Sequence, residues 1–296
     1  MTKHLLYLLK KKFDRYIHDP FFALIILPIF LILKIIPYRL SSLSCGYILK
    51  KIGPITKYHI RVQENLKVAF PKKSITEIQL LAEKFWYNFG QIIGELPHID
   101  ELINQNKLQT IGLEKIKTGP AILIGAHLGN WEFLLRVAEL AGRRAGFVYR
   151  PINNWILNKI QIRRNASINA EFFKKGRLAA IGMANKLKKR EVIGLTNDQL
   201  LREGIMVPFF GKKTPTPQAA AVMAVKWNIP IYMVRVERID KIKFRMTIED
   251  ELIYSNSKVN EKTKVFEITS LISKRIEEWI IERPEQWLWS HRRWGK

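Results

Sequence analysis

The chain has 296 residues, 47% of them hydrophobic, which supplies one large α/β domain plus an N-terminal appendage and excludes a disordered chain. Lys+Arg 50 against Asp+Glu 26 gives a formal net charge of +24, and such an excess points to an anionic partner: nucleic acid, acidic lipid or an acidic protein. Part of the excess reflects a composition rich in Lys, Ile and Asn. The single cysteine, Cys45, excludes an internal disulfide and suits a reducing compartment.

Taken in chain order, a basic stretch from Lys10 to Arg15 precedes an unbroken apolar run, Phe21 to Leu33. That run is about 20 Å long as a helix, against a hydrocarbon core of about 30 Å. Lys34 follows it and Pro28 sits in its middle. No small-residue cleavage site follows, so it does not read as a signal peptide. The expectation is a membrane anchor, interfacial or tilted, with basic flanks drawn to anionic lipid; a buried core helix is the alternative. A basic N-terminus favours the cytosolic side.

Ser74-x-x-Glu77 is a capping box that opens a helix with an apolar stripe at Ile78, Leu81, Ala82, Phe85, Phe89, Ile92 and Ile93, ending near Gly94 or Pro97. The stripe reads as core, with the wall of a lipid groove as the alternative. A strand over 121–126 follows the Thr118-Gly119-Pro120 turn. A helix after Glu132 runs to about Leu140, a strand over 146–149 is closed by Pro151, and a helical stretch spans about 154–169. The basic run 186–190 reads as a solvated helix end, followed by a strand over 191–196. Thr216-Pro217 reads as a helix start. Residues 231–237 and 242–248 alternate as a hairpin about Asp240, and an amphipathic helix over about 262–281 precedes a Trp-rich tail. Trp287, Trp289 and Trp294, interleaved with His291, Arg292 and Arg293, suit either a membrane interface or docking on the core.

Alternating strands and helices predict an α/β fold whose central sheet is mostly parallel or mixed and flanked by helices. Parallel strands end on one edge, so His127, Arg150 and Asp198, each following a different strand, converge there.

The segment Gly125-Ala126-His127-Leu128-Gly129-Asn130-Trp131-Glu132 is the most informative. Five residues on a continuous helix separate two side chains by about 140°. His127 and Glu132 therefore meet only if the chain turns between them, and Gly129 permits the turn. A neutral imidazole accepts a proton near neutral pH, and a carboxylate fixes its tautomer. No Gly-x-Ser-x-Gly elbow occurs and Cys45 lies in an apolar stretch, so the nucleophile is expected from the substrate, as a hydroxyl or amine. A lone histidine in an apolar setting is otherwise more often a hydrogen-bonded core residue. Arg150, Arg163, Arg164 and Arg177 are candidate phosphate contacts, since guanidinium forks bind phosphate bidentately; surface charge is the alternative for each. Asp198 suits orienting an arginine or the imidazole, or capping a helix. Phe209 and Phe210 read as acyl-pocket lining or simple core. The other histidines lack metal-ligand spacing, and no GxGxxG or Walker loop occurs.

The HLGNWE block at 127–132 resembles the signature of glycerolipid-type acyltransferases. Glu64-Asn65-Leu66, Ala69-Phe70-Pro71, Tyr149-Arg150-Pro151, Arg163-Arg164, Asn197-Asp198-Gln199, Val207-Pro208-Phe209-Phe210-Gly211 and Trp289-Ser290-His291-Arg292-Arg293-Trp294 follow in the order of the late acyltransferases of lipid A assembly, the lauroyl/myristoyl transferases of Gram-negative bacteria. The resemblance spans nearly the whole chain. It implies a glycerolipid-acyltransferase-like domain over 61–296 behind a membrane-anchoring region over 1–60. It also implies O-acyl transfer from acyl carrier protein to a hydroxyacyl chain of Kdo-bearing lipid IVA, a lipid A precursor. His127 and Glu132 would be catalytic, and Arg150, Arg163, Arg164, Arg177, Asp198 and Gln199 would bind substrate. No cofactor or metal is implied, and the location would be the bacterial inner membrane with the site facing the cytoplasm. An oxyanion would be stabilised by backbone N–H groups near the Gly129–Asn130 corner or by a basic side chain. Alternatives are another phospholipid or glycolipid acceptor, or a basic nucleic-acid-binding protein; against the last stand the apolar N-terminal run and the absence of a recognition helix or RNP-type motif.

Overall fold

The computed structural model describes residues 14–254 and 260–295, and the backbone alone of Asp14, His18, Arg163 and Arg164. Part of the Lys10–Arg15 stretch lies outside the described residues. An apolar helix α1 (Asp19–Ile35) leads into α2 (Tyr38–Ile52), α3 (Tyr58–Ala69), α4 (Ile75–Glu95) and α5 (Ile99–Asn104). After strands β1 (Leu108–Ile111) and β2 (Ala121–Gly125), a 3-10 turn Trp131–Arg136 feeds α6 (Val137–Leu140). β3 (Ala145–Tyr149), α7 (Trp155–Ala166), β4 (Ala170–Lys174), α8 (Arg177–Lys188) and β5 (Val192–Thr196) complete the crossovers. A ribbon β6 (Ile205–Phe209) and β7 (Lys212–Thr216), then α9 (Ala219–Trp227), β8 (Ile231–Asp240), β9 (Lys243–Glu251) and α10 (Glu261–Glu282) follow.

Seven strands form one sheet in the order β1-β9-β8-β2-β5-β3-β4. β8 and β9 run antiparallel, as their hairpin demands, and all other neighbours are parallel. β2 lies between β8 and β5 and every residue in it is buried. Its continuous apolar run follows from having both faces covered. Ile122 and Ile124 enter one core with α3, α4, α9 and α10, whereas Ala121 and Leu123 enter the other with Phe133, Val137 and Phe244. This is the two-residue alternation of a strand.

The capping box of α4 is complete: the Ser74 N–H donates to Glu77 at 2.8 Å and the Glu77 N–H donates to Ser74 Oγ at 3.2 Å. Most of the expected stripe is buried, although Ile93 is 39% exposed. α2 lies against α4 closely enough that Ser41 Oγ donates to the Gly94 carbonyl at 2.6 Å.

Four readings of the sequence are corrected. β1 and β4 were not expected; β4 is a short strand at the sheet's edge, where the helix of 154–169 gives way early. The ribbon β6–β7 was also missed, because Pro208 and Pro215 within it weaken a strand pattern. Its two-residue turn is Phe210-Gly211, both at positive φ (50 and 72), rather than the usual Asn-Gly. Thr216 therefore ends a strand, and the helix begins only at Ala219. Lys186 is not a solvated helix end but a buried ammonium paired with Glu171 at 3.0 Å and Glu191 at 2.7 Å.

The Trp-rich tail docks on the core. Trp287 and Trp289 are 1% and 0% exposed, and Asn65 of α3 donates to the carbonyls of Trp289 and His291 at 2.7 and 2.8 Å. Arg293 is wholly buried and donates to Thr216 Oγ1 at 2.7 Å.

Candidate active site

Gly125 of β2 pairs with Thr196 of β5 in a parallel register. His127 and Asp198 each stand two residues beyond that pair, so both leave the sheet at its carboxyl edge. The backbone N–H of His127 donates to Asp198 Oδ2 at 2.9 Å, and the ring Nδ1 donates to Oδ1 at 2.9 Å. Trp287 Nε1 donates to Oδ2 at 2.8 Å. The carboxylate is 2% exposed and the imidazole 18%. With Nδ1–H committed to Asp198, Nε2 carries the lone pair, and it accepts from Gln199 Nε2 at 3.2 Å.

Burial alone would push Asp198 up, but the adjacent imidazolium and the hydrogen bonds from His127 and Trp287 outweigh it and hold the carboxyl at about 2. Burial likewise pushes His127 down. The charge and hydrogen bond of Asp198, and the charge of Glu132, outweigh it and raise the imidazole above its ordinary value. Asp198 is therefore the carboxylate that fixes the tautomer, while Glu132 acts on the imidazole through its charge.

Both His127 and Glu132 line a cavity of about 210 Å³ with Trp131, Leu123, Val148 and Leu195. Trp131 meets the imidazole edge-on, with ring centroids 5.4 Å apart, and stacks on Phe89 at 6.3 Å. Among the described residues no serine or cysteine lines the cavity.

The corner between His127 and Glu132 is held from several elements. Gly129 has φ +57, and a Cβ there would stand 2.6 Å from the Val236 carbonyl, so glycine is required. Its N–H donates to the Gln286 carbonyl at 3.0 Å, and the Leu288 N–H donates to the His127 carbonyl at 3.0 Å. The corner donors at His127 and Gly129 are thus engaged within the protein. The Asn130 side chain is fully buried and donates to Glu95 Oε2 at 2.9 Å. Glu95, itself 0% exposed, also accepts from Ser42 at 2.6 Å and from the Arg238 fork at 2.7 and 2.9 Å.

The structure brings His127, Glu132, Asp198 and Gln199 together. Arg150 is exposed just beyond β3, Arg177 is exposed at the start of α8, and neither lines the cavity. Arg163 and Arg164 lie on α7, and their side chains are outside the described residues. Phe209 is fully buried against Trp287 and Trp294 and does not line the cavity, which makes it core. Sequence reasoning missed the Glu95–Arg238–Asn130 network; the only signal was a glutamate on the apolar side of a strongly periodic helix. Among the described residues no group of His, Cys, Asp and Glu is placed to hold a metal ion.

An α/β sheet whose carboxyl edge carries a hydrogen-bonded His–Asp pair beside a cavity is the architecture that the comparisons with known proteins identify. The chain belongs to the bacterial lipid A biosynthesis acyltransferase family, whose model matches residues 10–296. It is 23% identical over 260 residues to the lipid A biosynthesis palmitoleoyltransferase of Escherichia coli (strain K12), covering 82% of each chain. The same identity and coverage relate it to a lipid A biosynthesis acyltransferase of Shigella flexneri.

Proposed function

We propose that the protein transfers a fatty acyl group, lauroyl or similar, from acyl carrier protein to a hydroxyl on a hydroxyacyl chain of Kdo-bearing lipid IVA. The observation that carries this reading is the His127–Asp198 pair at the rim of an apolar cavity. His127 Nε2 takes the proton of the acceptor hydroxyl. The oxygen attacks the thioester carbonyl, the C–S bond breaks, and the imidazolium returns the proton to the departing thiolate. Asp198 orients the ring, and Glu132 adds negative charge that stabilises the imidazolium. Gln199 donates to the base nitrogen. On hydroxyl binding its amide is released to donate to the developing oxyanion. Arg150, Arg163, Arg164 and Arg177 serve the acidic groups of the lipid.

The membrane assignment has its own support. Residues 15–35 form a helix of mean hydropathy 2.0, long and apolar enough to cross a membrane. Phe21, Leu24 and Leu31 are 64%, 71% and 58% exposed along it. We read residues 1–60 as anchoring the acyltransferase domain, 61–296, to the inner membrane with its site on the cytoplasmic side. Arg202, Lys213 and Arg292 line a second cavity, of about 250 Å³, without ion-pair partners among the described residues, and suit an acidic carrier protein.

The test is His127→Ala in cells lacking other copies, with lipid A read by mass spectrometry. Loss of secondary acylation is expected, and unchanged acylation rules the mechanism out. Which purified acceptor takes label from carrier-bound fatty acid separates lipid IVA from another phospholipid or glycolipid.

A further inference from the structure

The cavity beside His127 has a second polar station. Gln161 and Asn165 lie four residues apart on α7, so their side chains share a face, and both line the cavity. Asn165 is 6% exposed. Its Oδ1 and the Oε1 of Gln161 are buried and have no hydrogen-bond partner among the described residues. Leu134, Val137, Phe147 and Val234 line the same cavity. A dry, unpaired carboxamide oxygen is costly in a folded protein and rare in native ones. Leucine or methionine would fill the same space without that cost. Two orphan acceptors set among apolar side chains match the way ligand cavities fix specificity: hydrocarbon with a few placed polar groups.

We infer that Gln161 and Asn165 recognise a hydroxyl carried by the acyl chain that enters this cavity, so that the site selects a hydroxyacyl chain over an unsubstituted one. A hydroxyl donates its hydrogen to one carboxamide oxygen and accepts from the N–H of the other side chain. A saturated chain leaves both oxygens unpaired. The identity of the chain rests on the acyl-transfer reading, while the hydrogen-bonding chemistry of the wall does not. The hydroxyl belongs either to the thioester donor or to the acceptor lipid.

The binding test uses the full-length protein in detergent micelles, with 3-hydroxydodecanoic acid and dodecanoic acid as probes and calorimetry as readout. The wild type is expected to prefer the hydroxy acid about tenfold or more. A variant carrying Asn165→Leu and Gln161→Met loses that preference while melting no lower than the wild type. Transfer assays then identify the source. Loss of discrimination in the variant between thioester donors with and without a 3-hydroxyl assigns the contact to the donor. Loss of discrimination between acceptors with and without a hydroxyl other than the acylated one assigns it to the lipid. Equal binding of the two acids by the wild type means that the carboxamides hold water alone and overturns the inference, as does a variant that keeps the preference. Continued transfer by His127→Ala would remove the acyl-transfer mechanism and leave the binding preference standing.

Discussion

The side-chain amide of Asn130 donates to Oε2 of Glu95 at 2.9 Å, joining the corner that carries His127 to the last residue of α4. Glu95 is 0% exposed and pairs with Arg238, itself 8% exposed. Removing one partner of a buried ion pair strands the other and costs about 3–5 kcal/mol. Glu95→Ala is therefore expected to lower the urea midpoint by that equivalent, measured by circular dichroism. Asn130→Ala, which leaves the ion pair intact, is expected to cost less stability and to lower kcat through a loosened corner.

The His127–Asp198 pair sets the pH response. Because His127 is raised above 6.5, its free-base form grows in as pH passes above that value. The ascending limb of kcat/KM is expected above pH 6.5. In Asp198→Asn the raising charge is gone, so the limb shifts to lower pH. kcat falls about 10²–10⁴-fold as the ring loses its fixed tautomer. Stability follows the same signs. The raised imidazole stabilises the fold fully below its unfolded value and loses that contribution as pH rises through its folded value. The depressed carboxyl contributes above its unfolded value and loses that as pH falls through about 2. The pair is fully stabilising between the two unfolded values, and Asp198→Asn should flatten the fall in denaturation midpoint on either side of that window.

Trp287 donates to the same carboxylate from the tail. Trp287→Phe keeps the aromatic packing and removes the donor. A hydrogen bond to a charged group is worth about 1.5–3 kcal/mol, so thermal unfolding should shift down accordingly. The Asp198 carboxyl should rise, a shift that titration of the His127 ring signals by NMR would register.

Carrier docking on the Arg202, Lys213 and Arg292 surface predicts a charge effect. Reversing all three to glutamate is expected to raise KM for a carrier-borne donor about tenfold at low salt, with the difference shrinking as ionic strength rises. Steady-state kinetics over a salt series measures both.

Exposed apolar residues on α1 predict membrane retention that depends on them. Replacing Phe21, Leu24 and Leu31 with serine should move the protein toward the soluble fraction on ultracentrifugation, with its melting temperature little changed.

Much of the scaffold was legible because its signals are local. Ser74 and Glu77 cap a helix within one turn, and the period of apolar residues continues it. The run at 121–124 announces a buried strand, and Gly129 announces a corner. The ribbon 205–216 was not legible, since its prolines and its Phe-Gly turn are tolerated only by pairing with a partner strand. The Trp-rich tail carried two meanings at once. Its indoles suit a lipid interface or a core equally, and packing against α3 and Phe209 chose the core.

The sequence by itself determined the local pieces of the candidate site: a histidine and a glutamate on either side of a turn at the end of a buried strand, in a chain whose elements alternate into a mostly parallel sheet. Tertiary structure decided which carboxylate grips the imidazole. Asp198 lies 71 residues from His127, yet β2 and β5 are adjacent and in register, so equal steps beyond Gly125 and Thr196 bring the two side chains to hydrogen-bonding distance. Local sequence encodes strand, turn and spacing, but a contact between distant segments exists only once a shared core has fixed the register between them.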